Sequence, residues 1–237
     1  MSWTAHIITL MPEAFPGLLG QSLSGRALEK GIWSLQTEAL RNHGLGKHQN
    51  VDDTPAGGGA GMVIRADVAA AAIDAACGKN PDLPLLVPSP RGAALTQDRV
   101  KRLAAGPGVM IFCPRFEGVD ERLFQRRRIE EVSLGDYVLS GGDMAAQVII
   151  DAVVRLLPGV MGGAESSAEE SFENHLLEYP HYTRPAVWED MKIPDVLTSG
   201  NHEKVSDWRR MEAEKLTKIR RPDLFAKYLS AQKDEKG

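Results

Sequence analysis

The chain of 237 residues is poor in cysteine. It has only Cys77 and Cys113, which form no CxxC pair and have no nearby histidine at metal-ligand spacing. That excludes a disulfide scaffold and a cysteine-histidine zinc site, and both read as reduced thiols. No apolar run is long enough to span a bilayer, so no membrane partner is expected. The opening MSWTAHIITLMPEAF lacks a basic region followed by a long apolar core, so it does not read as a secretory signal. These absences together imply the cytoplasm. There is no excess of positive charge either, the formal net charge being -4. A nucleic-acid partner would therefore need a local basic patch. Arg126-Arg127-Arg128 and the stretch from Lys204 to Arg221 offer one, although each also reads as a solvated helix face. A Walker pattern is missing, which disfavours a nucleotide-hydrolysing enzyme.

What is present is an alternation of apolar strands and helices. His6 to Leu10, Ile32 to Leu40, Leu85 to Val87, Val109 to Cys113 and Glu131 to Leu134 read as strands. Helices are expected over Ser22 to Lys30, closing at Gly31, over alanine-rich Asp67 to Cys77, from an N-cap at Thr96 through Ala105, and over Met144 to Leu157. This order predicts an α/β fold with a mainly parallel sheet and helices on both faces. Ligands of such sheets bind at the carboxyl ends of the strands. After Val160 the composition turns small, polar and acidic, which reads as a mobile linker. A helical tail follows from His202 to Leu229. The expected organisation is a domain over 1–161, a linker or lid over 162–174, and a small helical C-terminal domain over 175–237.

Several loops carry candidate chemistry. GDYVLSGGD places three glycines between a strand and a helix, where backbone can approach a ligand closely. Its spacing is not GxGxxG, so an adenosine held by backbone groups fits better than a dinucleotide. A plain tight turn is the alternative. In PRFEGVDER, Glu117 can meet an ammonium group, whereas Asp120, Glu121 and Arg122 equally read as a helix start. VDDTPAGGGAGM is either a flexible surface loop or, with Asp52 and Asp53, a substrate-gripping one. Arg155 is either a charge partner for its helix C-terminus or a catalytic cation. Glu169 and Glu170 are solubilising, or are brought to a site when the linker folds down. His181, Tyr182 and Arg184 in PHYTRP are structural, or touch an RNA loop.

Together and in this order, VDDTPAGGGAGMV, CPRFEGVDER, SLGDYVLSGGD, IDAVVRLLPGV, ESF followed by LLEYPHYTRP, and VLTSGNHEKVSDWR resemble the bacterial tRNA (guanine-N1)-methyltransferase family of the knotted SPOUT class. The resemblance covers nearly the whole chain. It implies a deep trefoil knot in the N-terminal domain, an exception to the usual absence of threaded connections. It also implies a homodimer with shared active sites, S-adenosyl-L-methionine as methyl donor, and the tRNA anticodon stem-loop as partner. The guanosine at position 37 would be the substrate. By motif position the cofactor wall would comprise Ser89, Pro90, Gly92, Pro114, Phe116, Glu117, Gly118, Leu134, Gly135, Asp136, Tyr137, Val138, Leu139, Gly141 and Gly142. Substrate contacts would fall to Asp52, Gly58, Gly59, His181, Arg184, Trp208 and Arg209. The family has been linked to Mg2+, but the sequence shows no dedicated metal cage.

The chemistry limits the roles. Neutral guanine carries a proton on N1, so a base must remove it, a contribution of about 10²–10⁴-fold. Charge then builds at O6, where a fixed guanidinium contributes about 3 kcal/mol by analogy with oxyanion-hole donors. Arg155 is assigned to O6 and Glu170 to the proton, with Glu169 as the competing neighbour. Relatives commonly have aspartate at the position of Glu170, so the extra methylene alters its reach. Pro114 stands where many relatives have glycine, so any cofactor contact there uses the carbonyl or the ring. Ala56 replaces a common tyrosine. The rival readings are a knotted 2′-O-ribose methyltransferase and a non-catalytic RNA-binding module. Trp208, Arg209, Arg210, Lys215, Lys218, Arg220 and Arg221 offer phosphate and stacking contacts to an anticodon stem, or else form a dimer-packing helix.

Overall fold

The computed structural model describes residues 2–161 and 170–234, in two compact units, Met1–Met161 and Gly162–Gly237. The first unit runs β1 (Trp3–Thr9), α1 (Ser22–Glu29), β2 (Trp33–Ala39), the short hairpin β3 (Asp52–Asp53) and β4 (Val63–Ile64), α2 (Ala66–Lys79), β5 (Leu85–Ala94), α3 (Gln97–Ala105), β6 (Gly108–Phe112), α4 (Arg122–Arg126), β7 (Ile129–Ser133) and α5 (Gly142–Val154). The five long strands form one parallel sheet in the order β2-β1-β6-β5-β7.

Both faces of this sheet are covered, so its central strands read as unbroken apolar runs rather than alternating ones. Successive side chains still go to opposite faces. Ile7, Leu86, Val109 and Ile111 join one core with Val100 of α3 and Ala146, Ile149, Ile150 and Val153 of α5. Ile8, Leu85, Val87, Met110 and Phe112 join the other with Val68, Ala72 and Ile73 of α2 and Leu123 of α4. Thr96 caps α3 as expected, its hydroxyl accepting from Arg99 N–H. Gly31 follows α1 with φ +68°, a conformation that glycine adopts without Cβ strain. A polar cluster sits where α2 ends over β1 and β2. Glu38 accepts from Lys79 at 2.7 Å and pairs with His43 at 2.9 Å, while Asn80 bridges His6 and Gln36.

The strand after Leu85 is longer than its apolar run. The chain leaves β7 after Pro88, loops out through Ser89-Pro90-Arg91-Gly92 and returns at Ala93 to the same partner, Val132. The polar composition of this excursion hid the return. The Asp120-Glu121-Arg122 segment is the helix start of α4, with Arg122 N–H and its guanidinium on Asp120.

The second unit contains the hairpin β8 (Val187–Trp188) and β9 (Met191–Lys192), then α6 (Asp195–Thr198), α7 (His202–Arg220) and α8 (Pro222–Asp234). The hairpin has no counterpart among the elements expected from sequence, its strands being only two residues each. The tail expected as one helix breaks at Arg221. Pro222 lacks an N–H and disfavours helical backbone in the preceding residue, so Arg221 turns out at φ -137°, ψ 68°. Pro222 then occupies the first position of α8, where no N–H is needed. The two helices lock through Ala213, Leu224 and Tyr228, and Tyr228 Oη donates to Glu214. Most of the expected linker, with Glu169, lies outside the described residues. Its described end folds with the second unit: Glu173 N–H bonds Glu170 C=O, and Ser171 Oγ accepts from Glu178 N–H. Leu177 N–H then donates to the fully buried Thr217 hydroxyl of α7.

Candidate functional site

The excursion within β5 and the loops that leave the carboxyl ends of β6 and β7 converge on one cavity of about 1560 Å³. Its wall includes Ser89 and Pro90, then Pro114, Phe116, Glu117 and Gly118, and then Leu134, Gly135, Tyr137, Val138, Leu139, Gly141 and Gly142. The sheet explains the convergence. β6, β5 and β7 are neighbours in the sheet and parallel, so the polar excursion of β5 and the glycine-bearing loops after β6 and β7 emerge at one edge.

The loops are fastened to one another through their backbones. Gly142 N–H donates to Pro114 C=O at 2.8 Å. A Cβ on Gly142 would lie 2.6 Å from the Pro114 ring, and one on Gly141 would lie 2.4 Å from the Arg115 side chain. These glycines permit two walls to touch. The loop after β6 is also laced to the glycine-rich loop: Glu117 N–H bonds Met62 C=O, Ile64 N–H bonds Gly118 C=O, and Asp120 N–H bonds Ile64 C=O. Gly61 lies against Glu117, so any side chain there would displace that carboxylate.

Two candidates from the cofactor set stand apart from the wall. Gly92 faces the β7 backbone, a Cβ there falling 2.3 Å from Val132 N, so its glycine serves strand return rather than the cavity. Asp136 is exposed and is not among the lining residues. In the glycine-rich loop the wall takes Asp53, Thr54, Pro55 and Ala56, not Asp52, Gly58 or Gly59. Strand alternation separates the two aspartates. Gly58 and Gly59, at φ +82° and +130°, have no atom of another element within 4 Å of a notional Cβ.

The cavity also recruits residues that sequence reasoning passed over. Arg91 stacks over Phe124 and pairs with Glu121 and Glu131, each at 3.1 Å. Arg115 reaches Asp143, whose side chain is buried in the first turn of α5. Arg91 lies between Pro90 and Gly92, and Arg115 lies inside PRFEGVDER; the available signal was an arginine beside residues already assigned to the cofactor wall. Hydrogen bonds from Arg122 hold the Asp120 carboxyl down at about 2, which fits its helix-start role. Burial, and then Asp143, push the Cys113 thiol well above its ordinary range, so Cys113 serves as an apolar core residue behind the cavity loops.

Arg155 caps the C-terminus of α5, is half-buried, and is not among the cavity-lining residues. Glu170 belongs to the second unit. In that unit PHYTRP packs on α7. Tyr182 meets Trp208 edge-on at 6.1 Å, Arg209 lies over Tyr179 at 4.8 Å, and His181 bonds Glu178 at 2.8 Å. His181, Tyr182 and Arg184 are exposed. No described helix is long and apolar enough to cross a membrane.

The wall fits an adenosyl amino acid. Exposed apolar surface on Phe116, Tyr137, Val138 and Leu139 surrounds backbone-rich loops. Gly118, at φ +109°, leaves open space where a Cβ would project. Apolar walls with a few convergent polar groups suit a small-molecule site.

A family model described as tRNA (Guanine-1)-methyltransferase TrmD matches residues 3–227. The chain is 62% identical over 225 residues to a tRNA (guanine-N(1)-)-methyltransferase of Mesorhizobium japonicum, covering 95% of this chain and 97% of the relative. It is 60% identical over 232 residues to the enzyme of that name from Rhizorhabdus wittichii, covering 98% and 94%. With the one from Zymomonas mobilis it shares 58% over 230 residues, covering 97% and 92%. By its sheet, its cavity loops and this end-to-end similarity, the chain belongs to the tRNA (guanine-N1)-methyltransferase family.

Proposed function

We propose that this enzyme transfers a methyl group from S-adenosylmethionine to N1 of guanosine 37 in the tRNA anticodon loop. The observation that carries the reading is the cavity built by the excursion within β5 and the loops after β6 and β7, which is large enough for an adenosyl amino acid and is lined by apolar side chains and glycine backbone. When bound there, the sulfonium supplies an electrophilic methyl group that needs no metal activation. The chain must then orient guanine in line with it and remove the N1 proton.

In this reading Glu170 accepts the N1 proton and Arg155 stabilises the charge that develops on O6. Family membership and the position of both residues in matching motifs support these roles. Glu117 faces the amino-acid end of the donor, supported by its place on the cavity wall. His181, Arg184, Trp208 and Arg209 contact the anticodon stem-loop. Their support is an aromatic and basic cluster on the second unit, in which His181 and Arg184 are exposed and Trp208 and Arg209 half-buried, since stacking and phosphate contacts are how proteins hold single-stranded RNA. Asp52, Gly58 and Gly59 belong to the loop that grips the target nucleotide. That loop's neighbours Asp53 to Ala56 line the cavity.

The trefoil knot is part of the same reading, supported by the loop after β7 closing back on Pro114 at the end of β6. So is a homodimer. Met144 and Val148, one turn apart on α5, are 61% and 50% exposed, an apolar face that a second copy would cover. The expected compartment is the cytoplasm. The described residues offer no group of three or more His, Cys, Asp or Glu side chains that could hold Mg2+.

Single-turnover methyl transfer tests the roles. Glu170→Gln is expected to lower the rate by about 10²–10⁴-fold and to remove the acidic limb of its pH profile. A parental rate in Glu170→Gln together with a dead Glu169→Gln would move the base to Glu169.

A further inference from the structure

The loop after β6 carries an arginine for which the methyl-transfer chemistry has no use. Arg115 lies between Pro114 and Phe116 on the cavity wall. Its stem crosses Gly141, so it touches both cofactor loops. Its partner among the described residues is Asp143, with Nη1 at 3.7 Å from Oδ2, beyond hydrogen-bond distance. Among the described residues its five N–H donors are thus uncommitted by hydrogen bonds, and its side chain remains 30% exposed.

Asp143 is unusual on its own side. Its side chain is only 6% exposed, and Oδ2 is buried without a hydrogen bond. Oδ1 accepts from the hydroxyl of Thr9, the last residue of β1, which itself accepts from Met11 N–H. The carboxylate is therefore clamped by the sheet on one oxygen and directs the other toward Arg115. A buried carboxylate with one unbonded oxygen is costly unless a cation stays beside it.

We propose that Thr9 and Asp143 are positioning residues that hold Arg115 in the cavity wall, and that Arg115 binds the carboxylate of the methyl donor's amino-acid end. This rests on the S-adenosylmethionine reading. The donor's amino-acid end is a zwitterion and needs one anionic and one cationic partner. Glu117 and Arg115 supply that pair from one loop, both on the same cavity wall. A planar fork that approaches a carboxylate with two parallel N–H groups gives both affinity and orientation.

Calorimetry with two probes tests the proposal. S-adenosylhomocysteine carries the amino-acid end, and 5′-methylthioadenosine lacks it. The double variant Arg115→Gln/Asp143→Asn removes both charges of the pair and so leaves no buried ion alone. It is expected to bind S-adenosylhomocysteine about tenfold or more weakly, and methylthioadenosine within about twofold of the parent. Asp143→Asn and Thr9→Val, which leave Arg115 in place but unclamped, are expected to show the same selectivity at smaller size. Melting temperatures taken alongside establish that each variant is folded. Equal losses on the two probes, or none on either, overturn the proposal. If the parent binds neither probe, the cofactor reading itself fails.

Discussion

Gly142 is where two cavity walls are pressed together, and Gly142→Ala measures how tightly. The new Cβ would sit 2.6 Å from Pro114 Cδ, 2.9 Å from Cys113 Cα and 3.0 Å from Pro114 N. Carbon atoms in contact prefer about 3.5–4.0 Å, so the walls must part by about 1 Å. None of the opposing atoms is the free end of a flexible side chain. Pro114 is a ring closed on its own backbone, and Cys113 is fully buried. Overpacking of this kind costs about 1–3 kcal/mol. At about 2–4 °C per kcal/mol for a chain of this length, melting should fall by roughly 2–12 °C. The same shift stretches the 2.8 Å bond from Gly142 N–H to Pro114 C=O and displaces the loops around the donor. A misplacement of about 1 Å is expected to slow methyl transfer by about 10²-fold. Differential scanning calorimetry and single-turnover kinetics read the two effects. Unchanged melting and an unchanged rate would refute the idea that the loops are clamped at Gly142.

Gly78→Ala makes the contrasting case. It lies near the end of α2 with nothing within 4 Å of a notional Cβ, so the substitution should stabilise by about 0.5–1 kcal/mol, readable in denaturant titration. Glu38 should carry acid sensitivity. Burial raises its pKa, but the hydrogen bonds and charges of Lys79 and His43 outweigh that and set the carboxyl below its ordinary value. A carboxyl depressed in the folded state stabilises above its unfolded pKa, and that contribution is lost as pH falls through the folded pKa. Glu38→Gln should therefore be less stable than the parent at neutral pH, with the gap closing in acid unfolding experiments. On the second unit, Arg220 makes no ion pair among the described residues, whereas Arg221 forks onto Asp223 at 2.9 and 2.6 Å. Arg220→Gln should reduce the salt slope of tRNA binding by about one ion, and Arg221→Gln by less.

The strands, the α/β class and the sites of the cavity loops were legible because each rests on local pattern. Ile7-Ile8 and Val109 to Phe112 are apolar on both faces, and Thr96 carries its cap in its own side chain. Features set by distant partners were not legible. Gly92 reads as a ligand-binding glycine until the return of β5 onto Val132 gives it a neighbour. Asp52 and Asp53 are indistinguishable in sequence, and only the pairing of β3 with β4 decides which side chain reaches the wall. The break at Arg221-Pro222 has a local signal in the proline itself, set against helical spacing on both sides of it. The Thr9, Arg115 and Asp143 contacts join residues up to 134 positions apart and leave no motif.

Nucleoside mapping after incubation with labelled S-adenosylmethionine and tRNA tests methyl transfer to guanine most directly. The expected product is N1-methylguanosine at position 37, formed only when the labelled donor is present. A methyl group on a ribose 2′-oxygen, N1-methylguanosine confined to another position, or no incorporation at all would contradict it.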